Sequence, residues 1–195
     1  MGREFELKYG ATADILEAIR VEFGDFSPIS METTYFDTPT GDLSVKRTTL
    51  RLRKENGTAV CTLKTPGDAL GRGEWEVLCA DIQKAVPLLL EAGCPEEWSL
   101  LTKADLKPVC GARFTRLTRD ILLPDGRAEL ALDQGVLTGG GRVAPLCEIE
   151  VECKEGPEAV TEAFARELAV RYNLVPEAKS KFRRALDLTR GEENG

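Results

Sequence analysis

Charged or polar residues recur at a period of two against apolar ones in at least six separate stretches of this chain. Arg51 and Arg53 alternate with Leu50 and Leu52, Thr62 and Lys64 with Cys61 and Leu63, and Glu74 and Glu76 with Trp75 and Val77. Glu129 and Asp133 stand against Leu130 and Leu132; Glu148, Glu150 and Glu152 stand against Ile149 and Val151. The opening run Glu4-Phe5-Glu6-Leu7-Lys8 does the same. A period of two belongs to β-strands, whose successive side chains point to opposite faces. The chain is therefore predicted to fold around strands that each carry one charged and one apolar face.

Turn and cap signals order these strands. Strands are predicted at 3–9, 30–37, 48–54, 58–65, 73–79, 107–122, 127–133 and 144–154. Asn56-Gly57 between two of them is a hairpin signal, Pro124-Asp125-Gly126 marks a second turn, and Gly139-Gly140-Gly141 reads as a flexible loop. Helical spacing is found at 11–22, with Thr12 or its neighbour as cap, at 81–92, at 157–172 and at 178–189, with a short helical turn at 95–101. The expected class is α+β, mainly β: about eight strands in a mostly antiparallel sheet or barrel, flanked by helices. Residues 1–190 form one expected domain, and 191–195 an expected disordered tail.

Two architectures satisfy the alternation. One is an ordinary sheet with a wet outer face. The other is a barrel whose apolar faces look outward to the helices and whose charges line a tunnel. Sorting of sign along each strand (Arg-Arg, Glu-Glu, Glu-Glu-Glu) and the need of the helices for an apolar surface favour the second. A charged tunnel is costly unless its charges pair or meet a ligand. Carboxylates that hold a divalent cation, beside arginines and lysines that grip phosphate oxygens, meet that requirement. Glu4 and Glu6 on one strand face stand roughly 7 Å apart, suited to sharing a cation.

Composition excludes several classes. The 195 residues are 42% hydrophobic and 30% charged, enough for a core with charge to spare. A net charge of −7 argues against a general nucleic-acid binder. The chain has six cysteines, no Cys-x-x-Cys pair and no histidine, which disfavours a structural zinc site and excludes a Ser-His-Asp triad. The N-terminus has no basic-then-apolar signal pattern, and no apolar run reaches the length of a membrane span. A cytoplasmic protein with reduced thiols is expected.

The motifs taken in order resemble the CYTH domains of the triphosphate tunnel metalloenzymes. They are Glu4-x-Glu6-x-Lys8, Tyr35-Phe36-Asp37-Thr38, Leu50-Arg51-Leu52-Arg53, Thr62-Leu63-Lys64, Leu132-Asp133, Glu148-Ile149-Glu150 and Ser180-Lys181. Leu130–Gly135 is similar to the bacterial inorganic triphosphatases of that family. The resemblance implies an eight-stranded antiparallel β-barrel forming a charged tunnel, loaded with Mg2+ or Mn2+. It implies metal ligands among Glu4, Glu6, Asp133, Glu148, Glu150 and Glu152, with the register of the last three leaving open which pair binds. It implies triphosphate ligands at Lys8, Arg51, Arg53, Lys64, Arg116 and Lys181. Arg184, on the same helix face as Lys181, is a further candidate. Arg113 and Arg119 lie near Arg116 and leave its alignment loose. Lys8 with Tyr35 resembles a dyad that positions or activates water, and Lys8 is equally suited to binding phosphate alone.

The implied activity is metal-dependent hydrolysis of inorganic triphosphate to pyrophosphate and phosphate. Class IV adenylate cyclases and thiamine triphosphatases share this tunnel and its triphosphate contacts; a non-catalytic module that binds polyphosphate or nucleotide is the further alternative, against which the intact Glu4, Glu6 and Lys8 argue. An aromatic content of only 6% leans toward a substrate without an organic group. The expected partner is a small triphosphate or polyphosphate, with no nucleic acid and no membrane, bound by a monomer or homodimer.

Overall fold

The computed structural model describes residues 5–66 and 73–191. Glu4 and the tail at 192–195 lie outside the described residues. In chain order the elements are β1 (Glu6–Gly10), α1 (Ala13–Phe23), β2 (Ser27–Asp37), α2 (Asp42–Val45), β3 (Thr49–Glu55), β4 (Thr58–Lys64), β5 (Glu74–Leu78) and α3 (Ile82–Glu91). A 3₁₀ helix (Glu96–Thr102) follows, then β6 (Lys107–Leu123), β7 (Gly126–Gly139), β8 (Arg142–Glu155), α4 (Glu158–Tyr172), β9 (Val175–Pro176) and α5 (Lys181–Arg190). The fold is a mainly antiparallel sheet with flanking helices, ordered β5-β4-β3-β2-β6-β7-β8-β1-β9.

Local chemistry explains most of the boundaries. Thr12 Oγ1 accepts the Ile15 amide at 3.3 Å and caps α1. Asp81 accepts the amides of Gln83 and Lys84 at the start of α3. Asn56 and Gly57 both take positive φ, 47° and 89°, as a two-residue turn of the primed type requires between β3 and β4.

Three expectations are corrected. The described strands number nine, because Val175 and Pro176 pair with Gly10 and Tyr9. No hydrogen-bonded ladder joins β5 to β9 among the described residues, so the sheet is not closed as the barrel expectation required. β7 runs on to Gly139, and the reversal falls to Gly140 and Gly141 with φ of 57° and 74°, rather than to a loop of all three glycines.

The chain divides into two compact units, one of residues up to 29, 114–136 and 145–180, the other of 30–113, 137–144 and 181 onward. In the first, the apolar faces of β1, β7 and β8 (Tyr9, Leu130, Leu132, Ile149, Val151) pack on Leu16 and Ile19 of α1 and Ala165 and Leu168 of α4. In the second, Leu50 and Leu63 pack on Val86 and Leu89 of α3 and on Trp98 and Leu101. Each fully buried aliphatic side chain contributes about 1.5–3 kcal/mol. In both units the apolar face of the strands meets helices, so the charged face is the opposite one.

Candidate functional site

The first unit gathers its acids on that charged face. Asp133 of β7 and Glu148 and Glu150 of β8 bring carboxylate oxygens within 4.8 Å of one another. Asp133 and Glu148 are fully buried. Arg116 of β6 donates Nε–H and Nη2–H to the two oxygens of Asp133, both at 2.7 Å, and Nη2–H also to Glu150. Burial alone lowers the pKa of this guanidinium, but the hydrogen bonds and charge of Asp133, then Glu150, outweigh it and raise the value. Antiparallel register sets Glu6 opposite Glu152, Lys8 opposite Glu150 and Gly10 opposite Glu148.

Glu152 belongs to a different group. Lys154 Nζ lies 2.7 Å from Glu152 and 3.6 Å from Glu129 of β7. The acids of β8 thus divide: Glu148 and Glu150 meet Asp133, while Glu152 meets a lysine. Parity puts all three on one face, and what separates them is the neighbour each finds: Asp133 across the sheet for the first two, Lys154 along the same strand for Glu152. Lys154 itself was visible in the sequence as the next residue of the same period.

The second unit gathers bases. Arg51 and Arg53 share a face of β3, with Tyr35 of β2 opposite Arg51 and Thr33 opposite Arg53. Lys64 of β4 binds Glu74 of β5 at 2.7 Å. Arg51 reaches Glu74 and Glu76 only at 3.9 and 3.8 Å, and Glu76 instead accepts the Thr62 hydroxyl at 2.8 Å. The Nε atoms of Arg51 and Arg53 are buried without a hydrogen-bond partner. Burial, then the charge of Arg53, lowers the pKa of Arg51. Burial raises that of the Tyr35 phenol, against the charges of Arg51, Arg53 and Lys181, so it is protonated at neutral pH.

Tyr35 packs against Phe182 of α5 with ring centroids 4.8 Å apart and planes tilted by 49°. Lys181 opens α5 and Arg184 is buried one turn on. Asp37, at the end of β2, accepts the amides of Thr38, Leu43 and Ser44 at 2.7, 2.9 and 3.0 Å. That carboxylate holds α2, a turn too short for periodicity to reveal.

The model of the CYTH domain matches residues 2–186, nearly the whole chain. The chain belongs to the CYTH domain family. This CYTH domain is 29% identical over 127 residues to an inorganic triphosphatase of Haemophilus influenzae, a match covering 63% of this chain and 36% of that protein. It thus spans about a third of the length of that curated relative. Among solved structures it is similar to a candidate adenylyl cyclase from Hippeastrum with a dominant triphosphatase activity (TM-score 0.67, 19% identity, 98% of this chain and 97% of that one). It is also similar to a protein of Pyrococcus horikoshii OT3 (TM-score 0.62, 24% identity, 95% and 99%). These likenesses concern the fold, and they bear out the family's tunnel fold as the architecture.

Of the site residues expected from sequence, the first unit of the CYTH domain holds Glu6, Lys8, Arg116, Asp133, Glu148, Glu150 and Glu152. The second holds Tyr35, Arg51, Arg53, Lys64, Lys181 and Arg184. Arg116 is the arginine that meets the acids: Arg119 instead donates to the carbonyls of Phe23 and Gly24 at the end of α1, and Arg113 is exposed beside Glu32 at 3.7 Å. No helix of the described residues is long and apolar enough to cross a membrane.

Proposed function

We propose that this CYTH domain hydrolyses inorganic triphosphate to pyrophosphate and phosphate with Mg2+ or Mn2+. The observation that carries the reading is the meeting of Asp133, Glu148 and Glu150 within 4.8 Å. A set of oxygen donors without histidine or thiolate fits a hard divalent cation. Glu6, and Glu4 beyond the described residues, are proposed as further ligands. A cation bound there supplies charge neutralisation at phosphate oxygens and lowers the pKa of an attacking water.

The chain's own side chains do the rest. Asp133, Glu148 and Glu150 would hold the cation, and Arg116 fixes the Asp133 carboxylate in place through two hydrogen bonds. Arg51, Arg53, Lys64, Lys181 and Arg184 are proposed to bind phosphate oxygens, the arginines with planar forks. The partnerless Nε atoms of Arg51 and Arg53 support that assignment, since a buried guanidinium donor without an acceptor is costly. Lys8 is proposed to hold the terminal phosphoryl group or its water, and the protonated Tyr35 to donate a hydrogen bond. The six unpaired cysteines agree with the proposed cytoplasmic setting.

Phosphate release from tripolyphosphate, ATP and thiamine triphosphate under one condition, with Mg2+ or Mn2+ and with EDTA, tests the reading. Tripolyphosphate is expected to be the preferred substrate, with activity lost in EDTA and in Glu150→Gln. Turnover that survives both would sink the metal assignment, and preference for ATP or thiamine triphosphate would sink the substrate.

A further inference from the structure

The acid row of the first unit carries a resident cation at its open end. Glu148, Glu150, Glu152 and Lys154 follow one another at a spacing of two along β8, so they share one face of the strand. Exposure rises along that row: Glu148 is fully buried, the Glu150 side chain is 12% exposed, and those of Glu152 and Lys154 are 25% and 29% exposed. β7 runs beside it with Asp133 at the buried end and Glu129, 25% exposed, at the open end. Two carboxylates from different strands therefore converge on the Lys154 ammonium, at 2.7 and 3.6 Å. The shorter is a charge-assisted hydrogen bond and the longer an ion pair, so one ammonium serves both carboxylates. Glu129 also lines a cavity of about 390 Å³ with Asp25, Ser27, Thr118, Arg119 and Asp120, so ions in solution reach this end.

We propose that Lys154 is a specificity-determining residue that reserves Glu129 and Glu152 and so keeps divalent cations on the other carboxylates of the first unit, the Asp133, Glu148 and Glu150 cluster among them. This rests on the metal reading of the acid cluster given above and adds a limit to it. Without the ammonium, two carboxylates on adjacent strands, open to solvent, form a pair of oxygen donors suited to a divalent ion. A lysine there supplies one positive charge, fixed in place, where a mobile ion would supply two.

The test is the number of Mn2+ ions bound per chain, read by calorimetry and by the paramagnetic signal of free Mn2+, in the parent, Lys154→Met and Lys154→Arg. Methionine keeps most of the stem and removes the charge; arginine keeps the charge. Lys154→Met is expected to bind one Mn2+ more than the parent, and Lys154→Arg the same number as the parent. Circular dichroism and the urea midpoint establish that each variant is folded, and a triple variant Glu129→Gln, Glu152→Gln, Lys154→Met is expected to lose the added ion. An equal count in the parent and Lys154→Met overturns the inference. A parent that binds no Mn2+ overturns the metal reading and the inference that rests on it, whereas a parent that binds Mn2+ with no added ion in Lys154→Met overturns the inference alone.

Discussion

Arg116→Met is the sharpest perturbation available in the first unit. The guanidinium makes two 2.7 Å hydrogen bonds to Asp133, whose side chain has no solvent exposure, and a third to Glu150. Methionine replaces the stem but leaves a buried carboxylate without that charge. Removing one partner of a buried pair costs about 3–5 kcal/mol, a large part of the ~5–15 kcal/mol that holds a domain folded. The exposed pair of Arg166 and Glu162, side chains 73% and 39% exposed, is the control: Arg166→Met is expected to cost at most about 0.5 kcal/mol.

Urea unfolding followed by circular dichroism in EDTA gives the two losses. Repeating it at one fixed Mg2+ concentration, about a hundred times the parent's dissociation constant, adds about 2.7 kcal/mol to a parent that binds the ion only when folded. The gain is expected to be larger in Arg116→Met than in the parent, because the cation then meets carboxylates that no guanidinium occupies. A loss in EDTA below about 1 kcal/mol, the size of an exposed pair, refutes a buried-pair role for Arg116. A Mg2+ gain no larger in the variant than in the parent refutes it equally.

Other outcomes follow from single groups. Asp37→Ala orphans the amides of Thr38, Leu43 and Ser44 and is expected to cost on the order of 3 kcal/mol in urea unfolding, with Asp37→Asn intermediate. Arg51→Lys, which keeps the charge but loses the fork, is expected to weaken tripolyphosphate binding about tenfold by calorimetry, and unchanged affinity would remove Arg51 from the phosphate set. Burial pushes the thiols of Cys61 and Cys110 from 9.0 up to about 12. Their protonated form is favoured by folding, so their contribution to stability is complete below pH 9 and is lost as pH rises from 9 toward 12. At pH 8 iodoacetamide is therefore expected to spare both until urea is added, as read by peptide mass spectrometry.

The alternation of charge and apolarity was enough to assign faces, because a strand leaves a side chain only two directions. Leu50, Leu63, Leu130, Leu132, Ile149 and Val151 all lie in the cores that their parity implies. Parity cannot choose among residues that share it. Glu148, Glu150 and Glu152 share one parity, yet the first two meet Asp133 of the neighbouring β7 while Glu152 meets Lys154 two residues along its own strand. Closure was likewise beyond local pattern, since pairing between the ends of a sheet is a long-range event. β9 was missed because two residues carry no periodicity, and α2 because it is held by a carboxylate upstream of it rather than by its own spacing.

Counter-ions inside each charged row bear on how a ligand enters. In the first unit Arg116 already occupies both oxygens of Asp133 and one of Glu150. On the metal reading, a cation that takes an oxygen from Asp133 must displace or share that guanidinium, so its measured affinity is the intrinsic one reduced by the strength of the pair. Each ~1.4 kcal/mol of that competition weakens binding tenfold. A second unit arranged the other way follows the same rule with less competition: Arg51 meets its acids only at 3.8 and 3.9 Å, beyond hydrogen-bond reach, and burial lowers its pKa. An anion at Arg51 therefore displaces little, while it relieves a buried charge. Metal binding is accordingly expected to be the more weakened of the two in the parent protein, and Arg116→Met to strengthen it while leaving the phosphate affinity of the arginine pair to be read separately in EDTA.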